Sequence, residues 1–273
     1  MPTAVKQLWG DRVSTGFPWQ GKLAYDPGVP AWVDVSSRDV PATVAFYKGL
    51  FAWDSFEPPG GGGYTMFLQR GKPVCAAGPL MDPNAPEAWT TYVNVADADK
   101  TAALVKDAGG TVLSPPFDVM DVGRIGVFMD DGGAVFSIWQ PRSHIGAEIV
   151  NEPNSLTWTE LASSDIEKSK AFYGRVFGWT SETESMGPMT YTEFKVGGRS
   201  IAGMMALGPM HPPGTPPHWL VYFAVADTDA TVARTVELGG QSLAPPVDIP
   251  IGRFAVLADP RGVVFAVIKM AAA

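Results

Sequence analysis

Two acidic residues draw attention because each lies two positions after a tryptophan in a strand-like segment. Asp34 follows Trp32 in PAWVDV, and Glu160 follows Trp158 in LTWTEL. Side chains alternate along a strand, so each tryptophan and its carboxylate should point to the same side of a sheet. A carboxylate beside an indole is costly to bury unless it is paired. It could bind an amine on a ligand, act as a general base, or pair with an arginine.

The same alternation predicts more side chains on this inner side. Tyrosine recurs in TTYVNV and LVYFAV, and a further tryptophan lies in AVFSIWQ. Aromatic rings of this kind form an apolar stacking wall for a planar molecule. Arginines at equivalent positions in GRIGVFMDD and GRFAVLADP are the predicted internal partners of the two carboxylates. The predicted ligand-binding residues are Trp32, Asp34, Tyr92, Asn94, Ser137, Trp139, Trp158, Glu160, Tyr222, Arg124 and Arg253, with Asp34 and Glu160 as candidate catalytic groups.

An internal repeat explains why these residues come in pairs. FYKGLFAW at 46–53 returns as FYGRVFGW at 172–179. VADADKTAALVKDAGG at 95–110 returns as VADTDATVARTVELGG at 225–240. Self-similarity of this kind shows that the chain contains two copies of one architecture.

The repeat predicts the boundaries of the domains. Residues 28–141 and 154–270 should form two equivalent domains, joined by a linker over 142–153. Residues 1–27 have no counterpart and are predicted to be an N-terminal extension, whose Trp9 and Trp19 could fold over a domain.

Each half contains two units in which a strand leads into a helix and then into short strands. We therefore predict an α+β fold of four β-α-β-β-β units. The helix starts have local signals, because Asp39 precedes Pro41 and Ser164 is followed three residues later by Glu167 in the pattern of a capping box.

Four such units, with FYxxxFxW after the first and third strands and D-x-x-G before the last strand of each half, resemble the vicinal oxygen chelate superfamily. Glyoxalase I, bleomycin-resistance proteins and extradiol dioxygenases belong to it, and the chain looks most similar to its two-domain actinobacterial branch. The resemblance covers about 28–270. It implies two tandem glyoxalase-like domains, each with a U-shaped mixed sheet around a cavity that holds a metal or a ligand.

The resemblance also implies where a metal would be held, on the first strand of a unit and on the last. The residues at those positions are Trp32, Trp158, Thr90, Leu220, Ser137 and Ala266. A transition metal needs three or four converging histidine, carboxylate or cysteine donors, and an indole offers no lone pair. His144 lies in the linker, His211 in a proline-rich loop and His218 at a strand edge. We expect no metal and no cofactor.

Composition restricts the partners. Lys+Arg number 20 and Asp+Glu 28, for a formal charge of −8, and there is no basic run. Nucleic acids and anionic membranes bind clustered basic side chains, so neither is an expected partner. The one cysteine, Cys75, forms no internal disulfide, and no signal peptide is evident, so we expect a cytoplasmic protein. Four units in one chain fit a monomer, and a homodimer stays open.

Three functions compete. The first is a metal-free protein that binds or sequesters an aromatic natural product, in antibiotic resistance or as an accessory to biosynthesis. The second is a metal-independent isomerase or lyase in which Asp34 or Glu160 is the general base. The third, a metal-dependent glyoxalase or dioxygenase, is disfavoured by the residues at the expected ligand positions.

Overall fold

The computed structural model describes residues 25–186, 189–209 and 211–271. Most of the predicted N-terminal extension, including Trp9 and Trp19, lies outside the described residues.

The first half folds as one mixed sheet with two helices. Its elements are β1 (Pro30–Ser37), α1 (Val40–Phe51), β2 (Asp54–Phe56), β3 (Thr65–Gln69), β4 (Lys72–Pro79), β5 (Ala88–Asn94), α2 (Ala98–Asp107), β6 (Thr111–Val119), β7 (Gly123–Met129) and β8 (Val135–Pro141). The strand order is β2-β3-β4-β1-β5-β8-β7-β6. The first strands of the two units, β1 and β5, pair antiparallel at the centre of the sheet.

The second half repeats this arrangement. Its elements are β9 (Ser155–Ser163), α3 (Ile166–Phe177), β10 (Thr180–Met186), β11 (Met189–Val196), β12 (Arg199–Ala206), β13 (His218–Ala224), α4 (Thr228–Glu237), β14 (Gln241–Ser242), β15 (Val247–Ile249), β16 (Gly252–Ala258) and β17 (Val264–Met270). The order is β10-β11-β12-β9-β13-β17-β16-β14, and β15 pairs with β16. The predicted α+β fold with two tandem domains is confirmed.

Aspartates cap the N-termini of the four helices in the described ranges. Asp39 accepts a hydrogen bond from the amide of Ala42, and Pro41 lies in the first turn, as the sequence predicts. The predicted capping box at Ser164 is wrong by one residue, because Asp165 is the cap and accepts from the amide of Lys168. Both residues are good caps by type, and the backbone path out of β9 selects the second.

The two sheets turn their helix-bearing faces towards each other, so both domains share one core. Tyr47 of α1 packs on Trp89 of its own sheet and on Phe265 of the other, at ring-centroid distances of 5.2 and 5.5 Å. Trp89 also lies 5.1 Å from Phe223. The two opposite faces, which carry Trp32 with Asp34 and Trp158 with Glu160, therefore lie on separate sides of the molecule.

The helices are short. Within the described ranges, none is long and apolar enough to cross a membrane.

Candidate functional site

The face of each sheet that lies opposite the helices is called here a cleft. In the first cleft, Trp32 lies directly across from Tyr92, and Tyr92 lies across from Ser137. Asn94 and Trp139 form the next pair along. Directly paired residues share a face, so these side chains and Asp34 lie together in the first cleft.

Asp34 is the polar centre of the first cleft. Its carboxylate accepts hydrogen bonds from the hydroxyls of Tyr92 at 2.7 Å and Tyr64 at 3.0 Å. The indole of Trp32 donates to the same Tyr64 hydroxyl at 3.0 Å. Burial raises the pKa of Asp34 to about 6, although the two tyrosine hydrogen bonds act in the opposite direction.

The second cleft repeats this network. Glu160 accepts from the Tyr222 hydroxyl at 3.0 Å and also bonds Tyr191, and the Trp158 indole donates to Tyr191 at 2.9 Å. Burial raises the pKa of Glu160 above its usual value. Each cleft therefore contains the same hydrogen-bonded network of one carboxylate, two phenols and one indole.

The tyrosines Tyr64 and Tyr191 were missed by sequence reasoning. Tyr64 directly precedes β3 and Tyr191 lies within β11. The parallel pairing of β4 with β1, and of β12 with β9, brings them over the carboxylates. Gly203 on β12 makes room for one of them, because a Cβ there would collide with the Tyr191 hydroxyl. The available signal was the recurrence of the dipeptide YT, at 64–65 and 191–192, at equivalent places in the two halves.

The predicted pairing of Arg124 with Asp34 and of Arg253 with Glu160 is wrong. Arg124 bonds the carboxylates of Asp99 and Asp118 instead. The reason is the strand register: Ile125 lies across from Trp139 and so shares the cleft face, which turns the neighbouring Arg124 to the other side.

Arg253 follows the same rule. It bonds Asp229 at 2.9 Å and Asp248 at 3.0 Å, on the helix side of the second sheet. Neither arginine contributes to a cleft.

The linker enters the first cleft. His144, which sequence reasoning left in the linker without a role, packs edge-on against Trp32 with ring centroids 4.6 Å apart. The Trp139 indole donates to the backbone oxygen of His144 at 2.7 Å. Burial lowers the pKa of His144 to about 4, so the ring is neutral at pH 7.

Two polar atoms of the first cleft are buried without a hydrogen-bond partner among the described residues. They are Asn94 Oδ1 and His144 Nε2. Asn94 uses its other amide atom to donate to the backbone oxygen of Tyr25 at 2.8 Å.

The clefts do not suit a transition metal. In each, one carboxylate meets two tyrosines whose pKa values burial raises well above the usual value, so the phenols stay protonated hydrogen-bond donors. His211 and His218 lie near each other, with ring centroids 6.1 Å apart, but in the described ranges no three histidine, cysteine, aspartate or glutamate side chains converge. The donor set that such a metal requires is therefore not assembled there.

Comparisons with known proteins agree on one family. The model of the Glyoxalase/Bleomycin resistance protein/Dioxygenase superfamily matches residues 30–138 and again 155–267. The chain is 44% identical over 256 residues to "Putative glyoxylase CFP32" of Mycobacterium tuberculosis, covering 90% of this chain and 97% of that protein. It is 39% identical over 262 residues to "Anthracycline biosynthesis protein DnrV" of Streptomyces peucetius, covering 90% and 94%.

Solved structures show the same fold at low identity. A Mn(II)-bound glyoxalase from Novosphingobium aromaticivorans aligns with a TM-score of 0.62 at 15% identity, over 89% of this chain and 82% of that one. The 2,3-dioxygenase LapB from Pseudomonas sp. KL28 aligns with a TM-score of 0.62 at 13% identity, over 90% and 94%.

Proposed function

The chain belongs to the glyoxalase/bleomycin resistance protein/dioxygenase superfamily, and from that premise we propose that it is a metal-independent protein that binds an aromatic small molecule. The observation that carries the proposal is the twice-built network of indole, two phenols and a buried carboxylate at the place where the family resemblance implies a metal or ligand. An aromatic wall with a few convergent polar groups is the usual composition of a small-molecule site.

The ligand class follows from the chemistry of the walls and from one relative. Indole and phenol rings favour a planar ring system, and the buried carboxylate favours a hydrogen-bond donor or an amine next to that ring. DnrV is, by its name, a protein of anthracycline biosynthesis, and anthracyclines are planar polycyclic molecules. We therefore propose an aromatic natural product of this kind as the ligand, bound for its biosynthesis or for resistance to it.

A second candidate function has its own supporting observation. Asp34 is a buried carboxyl with a pKa near 6, held by the hydroxyls of Tyr64 and Tyr92. A carboxyl with a pKa this close to neutrality can exchange a proton with a substrate, while a phenol polarises a carbonyl. The alternative is a metal-independent isomerase or lyase with Asp34 or Glu160 as the general base.

One experiment separates the two functions. The purified protein is titrated with a fluorescent anthracycline, tryptophan quenching is recorded, and the same samples are examined by mass spectrometry. Saturable quenching with an unchanged ligand mass supports binding, and a new mass supports catalysis. The absence of saturable quenching and of any product contradicts both for this ligand class.

Metal independence is measured on the same preparation. We expect elemental analysis to find far less than one Fe, Mn, Ni or Zn per domain, and chelator treatment to leave the quenching curve unchanged, because the clefts offer one carboxylate where a metal needs three or four donors. One tightly held metal per domain would contradict the proposal.

A further inference from the structure

Part of the linker between the domains crosses the first cleft. Residues 142–148 are called here the strap. The amide of Ala147 donates to the backbone oxygen of Ala31 at 2.8 Å, and the amide of Glu148 donates to that of Pro73 at 2.8 Å. These bonds tie the strap to β1 and β4. Because they lie outside the pairings of β1 with β4 and β5, they can break without disrupting the sheet.

His144 is the side chain that the strap inserts among the aromatic residues of the first cleft. Its ring lies 4.6 Å from the Trp32 ring and 5.7 Å from the Trp139 ring, in edge-on contact with both. Trp32 and Trp139 are only 3% and 7% exposed. The imidazole thus covers aromatic surface that a planar ligand in this cleft would need.

The closed position of the strap carries an energetic penalty. Within the described ranges, His144 Nε2 is buried and has no hydrogen-bond partner. A buried polar atom without a partner costs free energy, because it has lost the hydrogen bonds that it would make with water. Lifting the strap returns the imidazole to water, and this gain offsets part of the cost of breaking the bonds to β1 and β4.

One glycine allows the strap to lie this close to β1. Gly146 has a φ of +109°, and a Cβ on it would lie 2.4 Å from the backbone oxygen of Ala31, so a side chain there would push the strap off the strand. Gly133, in the turn between β7 and β8, has a φ of +108° and open space at the position of a Cβ. Alanine therefore strains the backbone at both positions but displaces the strap only at 146.

From these contacts we infer that the strap is a lid on the first cleft, and that an aromatic ligand enters this cleft only when the lid lifts and His144 leaves Trp32 and Trp139. The part that concerns the ligand rests on the proposed function, whereas the lid itself rests on the contacts of the strap. Because the closed state is the favoured one, the observed affinity of the first cleft is its intrinsic affinity reduced by the fraction of molecules that are open.

Hydrogen exchange tests the lid without any ligand. We expect the amides of Ala147 and Glu148 to exchange about tenfold faster or more than the amides of the central strand β5, because the strap opens locally while the sheet stays folded. Gly146→Ala should speed exchange at these two amides by about a further tenfold, and Gly133→Ala should leave it unchanged. If the strap amides of the wild type exchange as slowly as β5, or if the two substitutions have equal effects, the strap is not a lid.

Calorimetry on the full chain with an anthracycline tests access to the cleft. His144→Ala and Gly146→Ala should each tighten binding about fivefold or more, or add a site, because more molecules present an uncovered first cleft. Gly133→Ala should change neither quantity. Binding whose affinity and stoichiometry are the same in all variants would overturn the inference. If no variant binds the anthracycline while the strap amides exchange as expected, the proposed ligand class is wrong and the lid still stands.

Discussion

At the scale of single residues, the two carboxylates are held by neutral donors and not by charges. Asp34 is 6% exposed and Glu160 is 8% exposed, and each accepts from tyrosine hydroxyls. A buried carboxylate without a cation pays a desolvation cost, which is why the pKa values of both rise. Such a group costs stability at neutral pH, so its place in the cleft fits a role in binding or proton transfer.

The first prediction concerns the pH dependence that Asp34 imposes on stability. Its pKa is higher in the folded protein, about 6, than in the unfolded chain, so the folded state binds more protons between about pH 4 and pH 6. The stabilising contribution is present below pH 4 and is lost as the pH rises through 6, by about 2–3 kcal/mol. Asp34→Asn should remove this loss of stability. Urea unfolding at pH values from 4 to 7 measures it.

The quantity to compare is the difference in unfolding free energy between the variant and the wild type at each pH. His144 acts in the opposite direction over the same range, because burial lowers its pKa to about 4 and the unfolded chain binds the extra proton. The exposed Asp107→Asn serves as the control and should follow the wild-type curve. If Asp34→Asn and the control have the same pH profile, Asp34 is not a titrating buried carboxyl.

At the scale of elements, each of the described helices is capped by an aspartate, and one or two residues separate that aspartate from the end of the preceding strand. In α3 the cap is Asp165, whose carboxylate bonds the amide of Lys168 at 3.0 Å. The preceding Ser163 is buried and its hydroxyl bonds Ser169, which fixes how the chain leaves β9. The helix start is therefore decided by a packed serine outside the capping pattern.

The second prediction tests that cap. Asp165→Ala should lower the free energy of unfolding by about 1 kcal/mol, because an amide in the first turn of α3 loses its acceptor. Ser164→Ala, one residue earlier and exposed, should change it by much less. Urea unfolding at pH 7 measures both. A larger loss from Ser164→Ala would restore the capping box.

At the scale of the whole molecule, two symmetric connections join the domains through their shared core. Tyr173 of the second domain donates to Asp130 of the first at 2.9 Å, and accepts from the Trp219 indole. The reciprocal connection runs from Tyr47 to Asp259.

The tryptophans of the repeated FYxxxFxW motif also reach across the interface. Trp53 donates to the backbone oxygen of Asn154, and Trp179 donates to that of Gly28. The conspicuous motif therefore serves the contact between domains, and the domains should not unfold separately.

The third prediction follows from this joint core. Wild type should unfold in one transition, with far-UV circular dichroism and tryptophan fluorescence coinciding. Tyr173→Phe should cost about 1–3 kcal/mol, because buried Asp130 loses a hydrogen-bond donor. Tyr47→Phe should cost less, since its hydroxyl lies 3.4 Å from the Asp259 carboxylate. Two separate transitions in the wild type would show that the domains are independent.

The sequence by itself determined the repeat, the four units and the face on which Trp32, Asp34 and Tyr92 lie. These are properties of short segments, because side-chain alternation in a strand and the order of elements are local. The same alternation, applied to β7, would have predicted that Arg124 points away from the cleft.

Only the tertiary structure decided what meets the carboxylates and what covers them. Tyr64 lies 30 positions after Asp34 in the sequence, and Tyr191 lies at a similar distance after Glu160. Each tyrosine reaches its carboxylate only because β4 pairs with β1 and β12 pairs with β9. His144 enters the first cleft because the linker amides of Ala147 and Glu148 bond β1 and β4, and no periodicity of the linker predicts that path. Such contacts depend on how distant segments pack, and packing is a property of the whole fold.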